Sequence, residues 1–142
     1  MAEFYIPIAI QRAIIALSKG HCEYCLVPED YSTDFFCFDH IIPFKKGGLS
    51  ELNNLARSCG KCNGFKHDKM THFDSLTNNM YRLYHPKQDI WSEHFQWSQD
   101  TLKLLGKSPI GRTTIDLLQI NRTSAVNLRK LLKMVGLHPP KL

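Results

Sequence analysis

Two C-x-x-C pairs, Cys22/Cys25 and Cys59/Cys62, constrain this chain more than any other feature. Four thiolates close around one tetrahedral ion only if the polypeptide between the pairs folds back on itself. The 33 residues from Leu26 to Ser58 must then form a returning hairpin. In a reducing compartment paired thiols usually hold metal, and structural zinc is the expectation. The alternatives are a chance pairing or a redox motif, although a thioredoxin-like site wants a single C-x-x-C within a βαβ pattern. The fifth cysteine, Cys37, stands between Phe36 and Phe38 and reads as a core thiol. A plain zinc ribbon needs no long insert carrying an aspartate, a histidine and a glycine pair, so the insert is where function is expected.

A chain of 142 residues has room for one compact domain, or a small site-bearing domain with an appendage, and excludes an ordinary two-domain enzyme. Lys+Arg 18 against Asp+Glu 13 gives a net charge of +5, which suits a polyanionic partner or merely keeps the protein soluble. No apolar run approaches the roughly 20 residues that span a bilayer. "MAEFYIPIAI" lacks the basic start and long apolar centre of a secretion signal. A cytoplasmic protein without a membrane partner is expected.

Along the chain, Ile10, Ile14 and Leu17 recur at helical spacing between Pro7 and Gly20, which predicts a short amphipathic helix. "TDFFCFDHI" reads as a buried strand, Pro43 and Gly47-Gly48 as turn residues, and "NNLARS" as a second strand. "CGKCNGFKHDKM" reads as a knuckle running into a helix. Further on, Trp91, Phe95 and Trp97 alternate with Ser92, His94 and Gln96, which predicts a half-buried strand with "TLKLLG" as its hairpin partner. Ser108 and Pro109 open a first C-terminal helix, and "TSAVNLRKLLKMVG" gives a second that ends at Gly136, with Val126, Leu131 and Val135 as its inward stripe.

Taken together, Cys22-x-x-Cys25, Asp39-His40-Ile41-Ile42-Pro43, Gly47-Gly48, Asn54-Leu55 and Cys59-x-x-Cys62-Asn63 resemble the HNH endonuclease family in its zinc-stabilised form. The resemblance covers about residues 20–69. It implies an α+β fold: a ββα-metal, treble-clef-like core stapled by a four-cysteine zinc, with an N-terminal helix, a C-terminal β-hairpin and a two-helix extension. The expected division is a nuclease core over 1–70 and an extension over 71–142 that packs on it, with DNA binding by the extension left open. The tail from "WSEHFQW" through "GRTTIDLLQINR" is similar to the extension of small stand-alone bacterial HNH proteins, for which it implies no role.

By the same resemblance, Asp39 is a ligand of a catalytic divalent ion, His40 the general base, and Asn63 the ligand after the second knuckle. Asn54 is a tether on the base-bearing loop, and His67, four residues after Asn63 and so on one helix face with it, is a further ligand or phosphate contact or else a solvated helix histidine. The residue types suit phosphodiester hydrolysis. Imidazole titrates near ~6.5 and can deprotonate water. Carboxylate and carboxamide oxygens are hard donors that suit Mg²⁺ or Mn²⁺. His21, beside Cys22, could be an outer neighbour of the zinc. His72, His85, His94 and His138 carry no assignment.

Lys45, Lys46, Arg57, Lys61, Lys66 and Lys69 lie close enough in sequence to frame a scissile phosphate. From residue 101 onward eight Lys/Arg face one acid, Asp116, and Arg122, Arg129, Lys130 and Lys133 cluster around the last helix. These cations either grip a duplex or are simply solvated. Trp91, Phe95 and Trp97 either pack a core or stack on bases. The function expected is a metal-dependent DNA endonuclease or nickase, acting as a monomer or weak homodimer. A catalytically idle zinc-knuckle binder and an RNA-directed nuclease are the alternatives.

Overall fold

The computed structural model describes residues 5–142; residues 1–4, where the stretch read for a secretion signal begins, lie outside them. The described residues fall into two compact units. The first runs to Met70 and takes in His85–Asp89, and the second holds Thr71–Tyr84 and Ile90–Leu142. The short return of residues 85–89 has no signature in the sequence; in the structure Lys87 is ion-paired to Glu23 of the first knuckle. No helix among the described residues is long and apolar enough to cross a membrane.

The first unit opens with α1, Ile8–Ser18, preceded by Pro7 and stopped where Lys19 and Gly20 take left-handed backbone angles. Ile14 and Ser18 are its buried residues, whereas Leu17 is exposed, so the inward face is narrower than Ile10, Ile14 and Leu17 suggest. β1, Phe36–His40, pairs antiparallel with β2, Leu55–Cys59, in the register Phe36↔Cys59, Phe38↔Arg57, Asp39↔Ala56 and His40↔Leu55. Residues facing each other across a ladder share a face, so Asp39 lies beside the small side chain of Ala56. α2, Gly60–Lys66, follows β2 without a break and packs against both strands. The expected ββα core is there.

The loop between the strands is closed by glycine for a steric reason. Gly48 donates its N–H to Pro43 O, and a Cβ built on it would stand 1.7 Å from Ile42 O. Gly47 beside it has φ +90°, a conformation glycine adopts without strain.

The second unit is built from two antiparallel hairpins, a single helical turn and two longer helices. β3, Thr71–Asp74, pairs with β4, Asn79–Arg82. Trp91–His94 forms a single helical turn, α3, leading into β5, Phe95–Trp97, which pairs with β6, Leu104–Gly106. The seven-residue strand predicted from alternation is therefore only three residues long. Period-2 spacing over four residues cannot exclude a helical turn, and here Ser108 Oγ, 2.6 Å from His94 Nδ1, anchors that turn to the next helix. The aromatics do pack together: Phe95 is 1% exposed, and the Trp91 ring lies tilted against the rings of both Phe95 and Trp97.

α4, Pro109–Leu117, is capped by Ser108, whose Oγ accepts the Gly111 N–H. α5, Thr123–Met134, buries Arg129 and Leu132, whereas Leu131 and Val135 of the predicted stripe are largely exposed. The polar residue turns inward because its donors satisfy loop acceptors: the Arg129 guanidinium bonds Leu102 O, Ile120 O and Asn121 Oδ1 over the Trp97 ring.

Candidate metal centre and nuclease site

Cys22, Cys25, Cys59 and Cys62 are all buried, and their sulfurs lie within 4.8 Å of one another. Cys25 Sγ and Cys59 Sγ are 3.7 Å apart. Zn–S bonds of about 2.3 Å imply a tetrahedral edge of roughly 3.8 Å, so the cage fits zinc. The backbone N–H groups of Tyr24 and Cys25 point at Cys22 Sγ, and that of Cys62 at Cys59 Sγ, each at 3.4 Å. Such donors favour thiolate over thiol. The sulfurs also perturb one another. Hydrogen bonds from Cys22, Cys25 and Cys62 hold Cys59 well below the usual thiol range, and one from Cys22 lowers Cys25. Burial pushes Cys22 up, and hydrogen bonding to the other three pushes Cys62 up. As thiolates, four buried sulfurs this close would need a shared cation, and this cluster is able to hold zinc.

His21 bridges to Pro28, and both its ring nitrogens are buried without a partner among the described residues. Cys37 is half-buried, its thiol aimed at Ser58 O and its pKa pushed up to about 11, first by burial and then by Asp39.

The first knuckle also reaches the strand end. Tyr24, between the two cysteines, donates its hydroxyl to Asp39 Oδ2 at 2.7 Å. Asp39 is 4% exposed. Lys66, the last residue of α2 and 1% exposed, places its Nζ 3.2 Å from Asp39 Oδ2 and 3.3 Å from Oδ1. The same amine donates to His40 O and Ile41 O at 3.3 and 3.2 Å. Burial raises the Asp39 pKa, and Lys66 and Tyr24 oppose that rise.

His40 is half-buried, with Nε2 2.9 Å from Ser50 Oγ and the Phe44 ring edge-on. Burial lowers its pKa, against the opposing pull of Asp39. Asn54, buried, fixes the loop by three bonds: it accepts the Ile42 N–H at 2.8 Å and donates to Ile42 O and Leu49 O. Asn63 lies one turn before Lys66 on α2, half-buried, and its carboxamide makes no hydrogen bond among the described residues.

His67 is not on the helix. α2 ends at Lys66, and His67 takes φ 50°, ψ −120°, which turns its ring outward, 69% exposed and bonded to Asp68. The face shared by Asn63 and an i+4 residue therefore does not exist, and Lys66 at i+3 is what α2 turns inward.

Among the expected phosphate contacts, Lys66 is buried as described. Arg57 is committed to a bidentate pair with Glu29 and lies over the Phe38 and Phe36 rings. Arg129 is inside the second unit. Lys45, Lys61, Lys69 and Lys130 are exposed, with no ion pair among the described residues. Lys46 donates to Asp68 O, Lys133 to Asp100 O and Arg122 to Gln119 O. Tyr24, Ser50 and the inward Lys66 escaped the sequence reading. Only Lys66 left a signal there, its three-residue spacing from Asn63.

The ββα hairpin-helix, with its four-cysteine cluster and Asp-His at the end of its first strand, coincides with a match to the HNH endonuclease family over residues 22–69. The chain is also similar to the Septu protein PtuB of Bacillus thuringiensis, at 29% identity over 115 residues. The similarity takes in 80% of this chain and 41% of that relative, so the chain spans about two fifths of the length of the curated protein it matches. No solved structure matches the chain.

Proposed function

We propose that the protein is a metal-dependent DNA endonuclease in which His40 is the general base and Asp39 and Asn63 hold a catalytic Mg²⁺ or Mn²⁺. The observation that carries this reading is the local arrangement of His40. With Nε2 engaged by Ser50 Oγ, Nδ1 is the nitrogen left to accept a proton from water. Asn54 fixes the backbone immediately after it, and a lowered pKa keeps the ring in its neutral, proton-accepting form at neutral pH.

Asp39 and His40 are consecutive on β1, so the pleat sends them to opposite sides of the strand. Hydrolysis of a phosphodiester places attacking and leaving oxygens on opposite sides of phosphorus. A phosphate at the strand end would meet the base on one side and the ion-binding carboxylate on the other. Held by Asp39 and Asn63, a divalent ion would supply positive charge to stabilise the transition state and the departing oxygen. Asn63 shares the inward face of α2 with Lys66, which reaches Asp39, and its uncommitted carboxamide oxygen is a second hard donor. Exposed Lys45, Lys61 and Lys69 belong to the same unit and suit phosphate contacts.

Supercoiled plasmid incubated with the purified chain and Mg²⁺ or Mn²⁺ should be nicked. His40→Ala should lower the rate by about 10²- to 10⁴-fold while the zinc content is unchanged. Equal cutting by parent and variant would remove His40 from the mechanism. Binding without cutting in any divalent ion would favour a non-catalytic zinc-knuckle protein, and preferential cutting of RNA in competition would reassign the substrate.

A further inference from the structure

Lys66 Nζ sits among four oxygens, two from Asp39 and one each from His40 and Ile41, all at 3.2 to 3.3 Å. That is the surrounding of a small bound cation, and the lysine is 1% exposed. Its charge compensates the one carboxylate that the proposed function gives to the divalent ion. Asp39 Oδ2 is already shared between Tyr24 and Lys66, so only Oδ1, which accepts from Lys66 alone, has a lone pair to spare. Asn63 adds a donor but no charge.

Resting on that functional reading, we propose that Lys66 is a positioning residue that makes divalent-ion binding conditional on the nucleic acid. With carboxylate and ammonium in contact, the protein offers a metal ion a neutral site and a like charge a few ångströms away. The negative charge that retains the ion then comes from the substrate phosphate. The same ammonium holds the carbonyls of His40 and Ile41, so the strand end keeps its shape whether or not an ion is bound. The ion and DNA therefore bind cooperatively, each raising the affinity for the other by the same factor.

The test is Mn²⁺ binding, followed by the free-ion electron paramagnetic resonance signal, on the zinc-loaded full chain without DNA. Lys66→Gln keeps two N–H donors and removes the charge, and should tighten Mn²⁺ binding by about tenfold or more. A purely structural lysine would leave the affinity unchanged or weaken it. An affinity within about twofold of the parent, with zinc content and circular dichroism intact, overturns the proposal. If the variant does not fold, a chain that keeps Lys66 still decides. In the His40→Ala background, where a DNA duplex survives, adding that duplex should raise Mn²⁺ affinity by about tenfold or more. Unchanged affinity with and without duplex overturns it as well. A chain that binds Mn²⁺ in this pattern yet never cuts DNA refutes the cleavage reading alone, whereas one that cuts DNA but shows neither effect refutes only the role of Lys66.

Discussion

Glu23 and Tyr24 fill the two positions that a C-x-x-C knuckle leaves open, and the fold uses both. Glu23 accepts the Arg57 N–H at 2.6 Å and pairs with Lys87, while Tyr24 reaches Asp39. The knuckle that clusters the thiols thus also sets the carboxylate. His40 allows a sharper expectation. Its pKa is lowered by burial, so the neutral, active form persists below the ordinary value near ~6.5. The pH profile of kcat/KM for nicking should rise on the acid side with a midpoint below ~6.5 and be flat above it. Stability follows the same sign: the unfolded chain takes up the proton more readily than the folded one, so the contribution of His40 to stability falls as pH drops below ~6.5. A rate midpoint above that value would mean that a group other than this imidazole is titrating.

At the scale of elements, β1, β2 and α2 are legible in the sequence because each leaves a mark that depends on covalent chemistry or local sterics: thiol spacing, an aromatic run, a glycine that cannot carry a Cβ. His67 is misplaced by sequence reasoning because helix periodicity says nothing about where a helix stops, and α2 stops one residue early. β3 and β4 leave no such mark because Thr71–Asp74 and Asn79–Arg82 are mostly exposed and carry little apolar alternation. Their hairpin is fixed at long range, by the Arg112 guanidinium on both oxygens of Asp74 at 3.0 Å. The cage itself carries an expectation. β1, β2 and α2 are short, so a metal in the cage supplies order that their packing alone would not; structural zinc is worth about 10 kcal/mol or more in small domains. A chelator strong enough to strip zinc, or Cys62→Ser, should abolish the melting transition of the first unit and all cleavage. Removing Mg²⁺ alone should stop cleavage and leave the melt unchanged. A zinc-free chain that melts like the parent would show that the thiols are only core residues.

Across the whole molecule the charge balance of +5 looks like a nucleic-acid footprint, but composition counts cations without saying which face water. Three of the ten basic residues expected to contact phosphate are used internally. Lys66 neutralises Asp39, Arg57 pairs with Glu29, and Arg129 satisfies three acceptors inside the second unit. A cation already held by acceptors within its own unit contributes little to counterion release from DNA, so these residues should act mainly on stability or site geometry. Arg129→Ala is the clean case, because it leaves Leu102 O and Ile120 O without the guanidinium donor and leaves Asn121 Oδ1 with only the Leu104 N–H. It should destabilise the second unit by about 2–4 kcal/mol, seen as a lower midpoint in urea. The slope of log Kd for a DNA duplex against log salt should stay as in the parent. Replacing exposed Lys45, Lys61 and Lys69 with alanine should do the reverse, flattening that slope by up to about 0.9 per lysine with little change in stability. If Arg129→Ala flattened the slope and the lysine variant did not, the duplex would be held by a surface that the folded chain exposes only when bound.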